Sequence, residues 1–135
     1  MTPRNKEFVF KKAHSKELWG IAAADFESAK ALLETKRGRP ETACFLAQQA
    51  IEKGLKAVLI HLEVPVPLVH DAAVLVAKLP QTLNPPRGYD LAELTPFATS
   101  LRYREGDTVL TPEQIEIVFE TAKEVLDWCG RQLKK

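Results

Sequence analysis

The triplet Arg102-Tyr103-Arg104 has the residue types best suited to holding a phosphate-bearing ligand. Guanidinium groups bind phosphate oxygens in bidentate fashion, and a tyrosine ring can stack on a nucleobase. The alternative is a polar turn in which the arginines pair with the nearby Glu105 and Asp107. The triplet is therefore a candidate polyanion site, with a plain surface turn as the equal alternative.

A second candidate group consists of Gln49, Glu52, Lys53 and Lys56, which fall on one narrow polar strip of a predicted helix. Lys53 or Lys56 could hold a phosphate as a point charge. The alternative is that Glu52 and Lys56, four residues apart in the favourable order, form an ordinary solvated ion pair. The ion pair is the favoured interpretation, and the position of the strip on an otherwise apolar, central helix is what supports a binding role.

The dipeptide His70-Asp71 is the third candidate. A histidine can exchange protons near neutral pH, so His70 could take part in acid–base chemistry. The alternative is structural: Asp71 is a natural helix N-cap, and His70 would then only pack at the start of that helix.

Other kinds of site are not indicated. The chain has no Gly-rich phosphate loop, no metal-ligand spacing and no nucleophile motif, so neither a metal nor a cofactor is predicted. Cys44 and Cys129 lie far apart on apolar helical faces, which is typical of buried, reduced thiols.

These residues must be positioned by helices, because the apolar residues recur at helical spacing and no segment alternates over strand length. Five helices are predicted: 15–35, 40–62, 71–79, one beginning at Asp90, and one beginning at the N-cap Thr111. The expected fold is all-α, an antiparallel up-and-down bundle of four to five helices. Its predicted core contains Trp19, Phe26, Phe45, Ile51, Leu55, Val58, Ile115, Ala122 and Leu126.

The length and net charge of the chain limit the classes of protein to which it can belong. The 135 residues suit one domain over 15–135, preceded by a basic and possibly mobile arm over 1–14. The formal net charge of +1 excludes a strongly basic nucleic-acid coat, so any polyanion must bind at a local patch. No apolar segment is long enough for a signal peptide or a membrane span, and a cytoplasmic protein without membrane association is expected.

Several of these features together form a pattern that resembles the HEPN domain. The resemblance is carried by Trp19, Asp25 and Ala29, by the segment ETACFLAQQAIEKGLKAVL at 41–59, by His70-Asp71, and by LRYREGD at 101–107. It implies a helical bundle that acts as a homodimer, binds nucleotides or RNA, and pairs with a minimal nucleotidyltransferase, as in toxin–antitoxin systems.

The family's ribonuclease branch carries an arginine followed four to six residues later by a histidine, and no arginine of this chain has a histidine at that distance. The leading hypothesis is therefore a binding module and not a self-sufficient enzyme. A divergent metal-independent ribonuclease that uses Arg102 and His70 is the first alternative, and a purely structural dimerisation domain is the second. The helix over 40–62 is apolar around more of its circumference than one neighbour can cover, which also indicates a dimer interface.

Overall fold

The computed structural model describes residues 7–88, Leu91 and residues 110–135, and this part of the chain is mostly helical. The described residues form four helices, which are α1 (His14–Thr35), α2 (Pro40–His61), α3 (Ala72–Ala77) and α4 (Pro112–Leu133). The predicted all-α class is confirmed, apart from one short ribbon of two strands. The helix predicted to begin at Asp90 lies outside the described residues.

Helices α1 and α2 form a hairpin whose ends agree with the predicted ones to within a residue. The chain leaves α1 through Lys36, whose φ of 56° is left-handed, and Gly38 follows with a φ of 77°. Pro40 then occupies the first turn of α2, where its missing N–H group costs nothing. The left-handed cap of α1 is therefore Lys36, which is not a glycine.

Helix α2 is the central element of the fold, because α1, α3 and α4 all pack against it. Its fully buried residues are Ala43, Cys44, Ala47, Gln48, Ala50, Ile51, Glu52, Gly54, Leu55, Ala57, Val58, Leu59 and Ile60. The wide apolar surface that suggested a dimer interface on this helix is thus covered within a single chain. The apolar surface of α2 therefore gives no argument for a dimer interface on this helix.

Helix α4 packs antiparallel to α1, since Trp19 lies beside Gly130 and the rings of Phe26 and Phe119 are 6.0 Å apart. It begins at the predicted N-cap Thr111, which forms a capping box with Gln114. The Thr111 hydroxyl accepts from the Gln114 amide at 3.1 Å, and the Gln114 side chain accepts from the Thr111 amide at 2.9 Å.

The short ribbon was not predicted. Strand β1 (Glu7–Phe8) pairs antiparallel with strand β2 (Val66–Pro67). The prolines of the connector after α2 hold it extended, which leaves backbone groups available for pairing. Lys78 also donates to Glu7 at 2.8 Å, so the segment before α1 is tied to the segment after α3.

The predicted core agrees with the observed burial at most of its positions. Phe26, Ile51, Leu55, Val58, Ala122 and Leu126 are buried. Trp19, Phe45 and Ile115 are only half-buried. Trp19 is half-buried because it lines an open groove between α1 and α4.

Candidate ligand site on the polar face of the central helix

The polar strip of α2 is where the structure brings most of the sequence candidates together. At roughly 100° per residue, Lys56 projects between Glu52 and Lys53, one turn further along the helix. Gln49 lies on the same side, one turn before them, and is half-buried. The strip faces the gap between α1 on one side and the segment that leads into α3 on the other.

Lys53 is bound to α1. Its ammonium donates to the Asp25 carboxylate at 2.5 Å, and both side chains are partly buried. Each charge neutralises the other, so this lysine is already compensated within the chain. Sequence reasoning did not assign Asp25 to the site. The sequence feature that could have identified Asp25 is its position on the first helix of the pattern that resembles the HEPN domain.

Glu52 lies on the other edge of the strip, and its side chain is only 5% exposed. Its carboxylate is 3.1 Å from Nδ1 of His70, whose side chain is 78% exposed. An ionised carboxylate only accepts hydrogen bonds, so a bond of this kind requires the proton on Nδ1 of the imidazole. Glu52 is therefore not half of a solvated surface pair with Lys56, and His70 does more than pack at the start of α3.

Lys56 differs from Glu52 and Lys53 in the electrostatic surroundings of its side chain. Burial lowers the pKa of its ammonium, Glu52 partly offsets that shift, and the positive charge of Lys53 adds to it. Within the described parts of the chain, no hydrogen bond or ion pair reaches its Nζ atom. It is a half-buried cation whose lost hydration is only partly compensated.

The remaining candidates fall into two groups. Asp71 is the N-cap of α3 and accepts from the Ala73 amide at 2.9 Å, as its structural interpretation predicted. Arg102, Tyr103 and Arg104 lie outside the described residues, so their role in a polyanion site stays a prediction.

The two cysteines are free and buried. Burial raises the pKa of the Cys44 thiol to about 12 and that of Cys129 further still. Such thiols stay protonated at neutral pH, and the predicted burial of both cysteines is confirmed. In the ranges that the structure describes, no three His, Cys, Asp or Glu side chains are grouped to hold a metal ion.

Comparison with known proteins identifies the family. None of the described helices is both long and apolar enough to cross a membrane. No curated protein and no solved structure matches the chain significantly. The family model for the HEPN domain matches residues 15–133, nearly the whole chain, and it spans all four described helices. The chain therefore belongs to the HEPN domain family.

Proposed function

We propose that this protein is a nucleotide- or RNA-binding HEPN module whose polar face on α2 holds a phosphate group. The proposal includes a bundle of four to five helices, a homodimer, and a minimal nucleotidyltransferase as partner. Membership of the family supports a role connected with nucleotides or nucleic acids in general terms. The single observation that carries the site is Lys56, the half-buried cation without an ion-pair partner among the described residues.

The charges of the strip support an anionic ligand. Lys53 and Asp25 cancel each other, which leaves Glu52, Lys56 and His70 to set the local balance. Glu52 is bound to His70, which leaves Lys56 as a cation of the strip that has no ion-pair partner among the described residues. A phosphate placed over Lys56 would replace part of the hydration that burial removes from the ammonium.

Arg102, Tyr103 and Arg104 are proposed to complete the site. Two guanidinium groups would add bidentate phosphate contacts, and the tyrosine ring would add stacking on a base. This part of the proposal rests on residue chemistry alone.

The test is a titration of a fluorescently labelled nucleotide and of a short single-stranded RNA, in EDTA, at low and at physiological salt. Lys56→Met should weaken binding about tenfold, as expected for the loss of one charge-assisted contact. Lys16→Met on the exposed part of α1 is the matched control and should bind like the wild type. If Lys56→Met binds the ligand as tightly as the wild type does, the polar face of α2 is not the ligand site.

Arg102→Ala, titrated in the same way, tests the predicted triplet separately. Binding should fall and should become less sensitive to salt, because fewer counterions are released.

The proposed partner is tested by copurification of a tagged chain with a nucleotidyltransferase encoded beside it. Absence of the nucleotidyltransferase from the eluate would contradict the proposed partnership.

A ribonuclease remains the second candidate because of one contact. The buried carboxylate of Glu52 contacts Nδ1 of His70, so that Nε2 would be the nitrogen available to act as a base. This is the relation by which a carboxylate orients a catalytic imidazole in hydrolases. The absent Arg-to-His spacing argues against it.

A further inference from the structure

The segment that leads into α1 exposes three aromatic rings in a row, which we call the ring platform. Phe8 and Phe10 are 43% and 37% exposed, and their ring centroids are 6.2 Å apart. The ring of Phe10 stacks on the imidazole of His14, with 5.2 Å between the centroids and 23° between the planes. Contiguous exposed apolar side chains, unlike scattered ones, indicate an interaction site.

The ring platform is held in place by the fold. Phe8 belongs to β1, which pairs with β2, and the adjacent Glu7 accepts from Lys78 at 2.8 Å. At the other end, the His14 amide donates to the Lys11 carbonyl at 2.9 Å. The rings are therefore positioned before a ligand arrives, and a preordered surface loses less conformational entropy on binding.

Two lysines beside the rings give this surface a positive charge. Lys11 and Lys12 directly follow Phe10, and both are exposed. Within the described part of the chain, no ion pair reaches either ammonium, whereas the nearby carboxylates of Glu7 and Glu17 are already bound within the chain. The ring platform thus combines exposed aromatic faces with uncompensated positive charge.

This combination is suited to a single-stranded nucleic acid. Unpaired bases stack on exposed aromatic rings, and basic side chains bind the phosphates of the same strand. In a duplex the faces of the bases are covered by their neighbours, so rings of this kind select a single strand. The two uncompensated lysines favour a polyanion over an apolar peptide.

We propose that Phe8, Phe10 and His14 stack on the bases of a single-stranded RNA or DNA, whose phosphates contact Lys11 and Lys12. This surface is separate from the polar face of α2, and the proposal does not depend on that site. The ring platform also lies before the match to the HEPN model, which covers 15–133, so family membership does not supply it. Stacking has little base preference, so single strands of varied sequence would bind.

The first test is a fluorescence-anisotropy titration of a labelled oligouridine RNA of about ten nucleotides, a length typical of single-strand sites. Phe10→Ala and Phe10→Leu should each weaken binding about tenfold, which is the cost of losing one stacked base. Phe10→Trp should bind at least as tightly as the wild type, because it keeps an aromatic face. Val9→Ala is the control, since Val9 is 79% exposed in the same segment and has no ring.

These variants distinguish stacking from apolar contact and from misfolding. Loss in Phe10→Leu together with retention in Phe10→Trp would support the proposal, because leucine is apolar but has no aromatic face. Wild-type affinity in Phe10→Leu, or an equal loss in Val9→Ala, would overturn it. Binding of phosphatidylserine vesicles that depends on Phe10, with RNA binding that does not, would assign the surface to lipid and would also overturn it.

The second test concerns the lysines. Lys11→Gln combined with Lys12→Gln should lower the slope of log affinity against log salt by about 1.4, since each phosphate contact of a single strand contributes about 0.7. The control is Lys36→Gln combined with Arg37→Gln, which removes the same charge from exposed residues at the far end of α1 and should leave the slope unchanged. Equal slopes for the two double variants would refute the phosphate contacts.

Discussion

Lys53 and Lys56 are one turn apart on α2, and their surroundings differ. Lys53 is neutralised by Asp25 across the α1–α2 contact, which makes it part of the scaffold. Lys56 has no such partner among the described residues and is disfavoured by its own burial. A charged side chain whose burial destabilises the fold indicates a functional role.

Replacement of Lys56 by methionine should raise the thermal stability while it weakens ligand binding. The folded pKa of Lys56 lies below its unfolded value of 10.5, so folding disfavours the charged form. Wild-type stability therefore rises with pH between the lowered pKa and 10.5, where the unfolded chain binds more protons. The variant's advantage in Tm should be largest at neutral pH and should shrink toward pH 10.5. A lower Tm than the wild type at neutral pH would contradict this prediction.

Ile51 should be among the most costly residues to truncate. It is fully buried on α2, and Ile51→Ala should reduce the free energy of unfolding by roughly 2–5 kcal/mol. Ile21→Ala makes the same chemical change on α1 at a side chain that is 48% exposed, and should cost less than about 1 kcal/mol. Urea unfolding of both variants measures the two losses. Similar values would mean that α2 is not the centre of the core.

At the scale of elements, α2 can touch three helices because many of its buried residues are small. Ala43, Ala47, Ala50 and Ala57 are buried together with Gly54. Small residues let helix backbones approach closely, and Gly54 marks the contact with α4. A Cβ atom at Gly54 would lie 2.8 Å from Cδ2 of Leu126 and 3.4 Å from Sγ of Cys129.

Glycine-to-alanine substitutions should therefore have different effects at the two helical positions 20 and 54. Gly20 on α1 is exposed and has open space around it, so Gly20→Ala should stabilise by up to about 1 kcal/mol through helix propensity. Gly54→Ala gains the same propensity but must displace Leu126, which is 4% exposed and tightly packed. Its stability should fall roughly 1–3 kcal/mol below that of Gly20→Ala in chemical denaturation. Equal effects at both positions would show that α2 and α4 are not closely packed at Gly54.

At the scale of the whole molecule, the three histidines have different surroundings. A metal-independent ribonuclease needs a base for the 2′-hydroxyl and an acid for the leaving oxygen. His14 pairs with Glu17 at the start of α1, and His61 ends α2. His70 alone has a buried carboxylate as its partner among the described residues.

The isolated protein should leave RNA intact when incubated with it in EDTA, because one oriented histidine supplies only one of the two proton transfers. Gel electrophoresis of a labelled single-stranded RNA measures this. His70→Ala and His14→Ala serve as a matched pair. If the wild type and His14→Ala cleave RNA and His70→Ala does not, the ribonuclease candidate replaces the binding module.

The elements whose ends depend on local chemistry were predicted from the sequence. Thr111 and Gln114 cap α4 through bonds within one turn, Pro40 starts α2, and Asp71 caps α3. These interactions involve neighbours in sequence, so their residue types are sufficient to identify them. The family pattern was visible for the same reason, because it consists of helix segments in a fixed order.

Only the tertiary structure decided what surrounds each side chain of the strip. Glu52 and Lys56 have the spacing of a solvated pair, yet Glu52 is buried against His70, which is 18 residues away. Asp25 meets Lys53 across 28 residues, and Trp19 reaches Gly130 from the opposite end of the chain. Such contacts depend on how the helices pack against one another, and helical periodicity in one segment carries no information about its neighbours. The sequence by itself therefore determined the four described helices and the family, whereas packing decided which lysine of the strip lacks an ion-pair partner among the described residues.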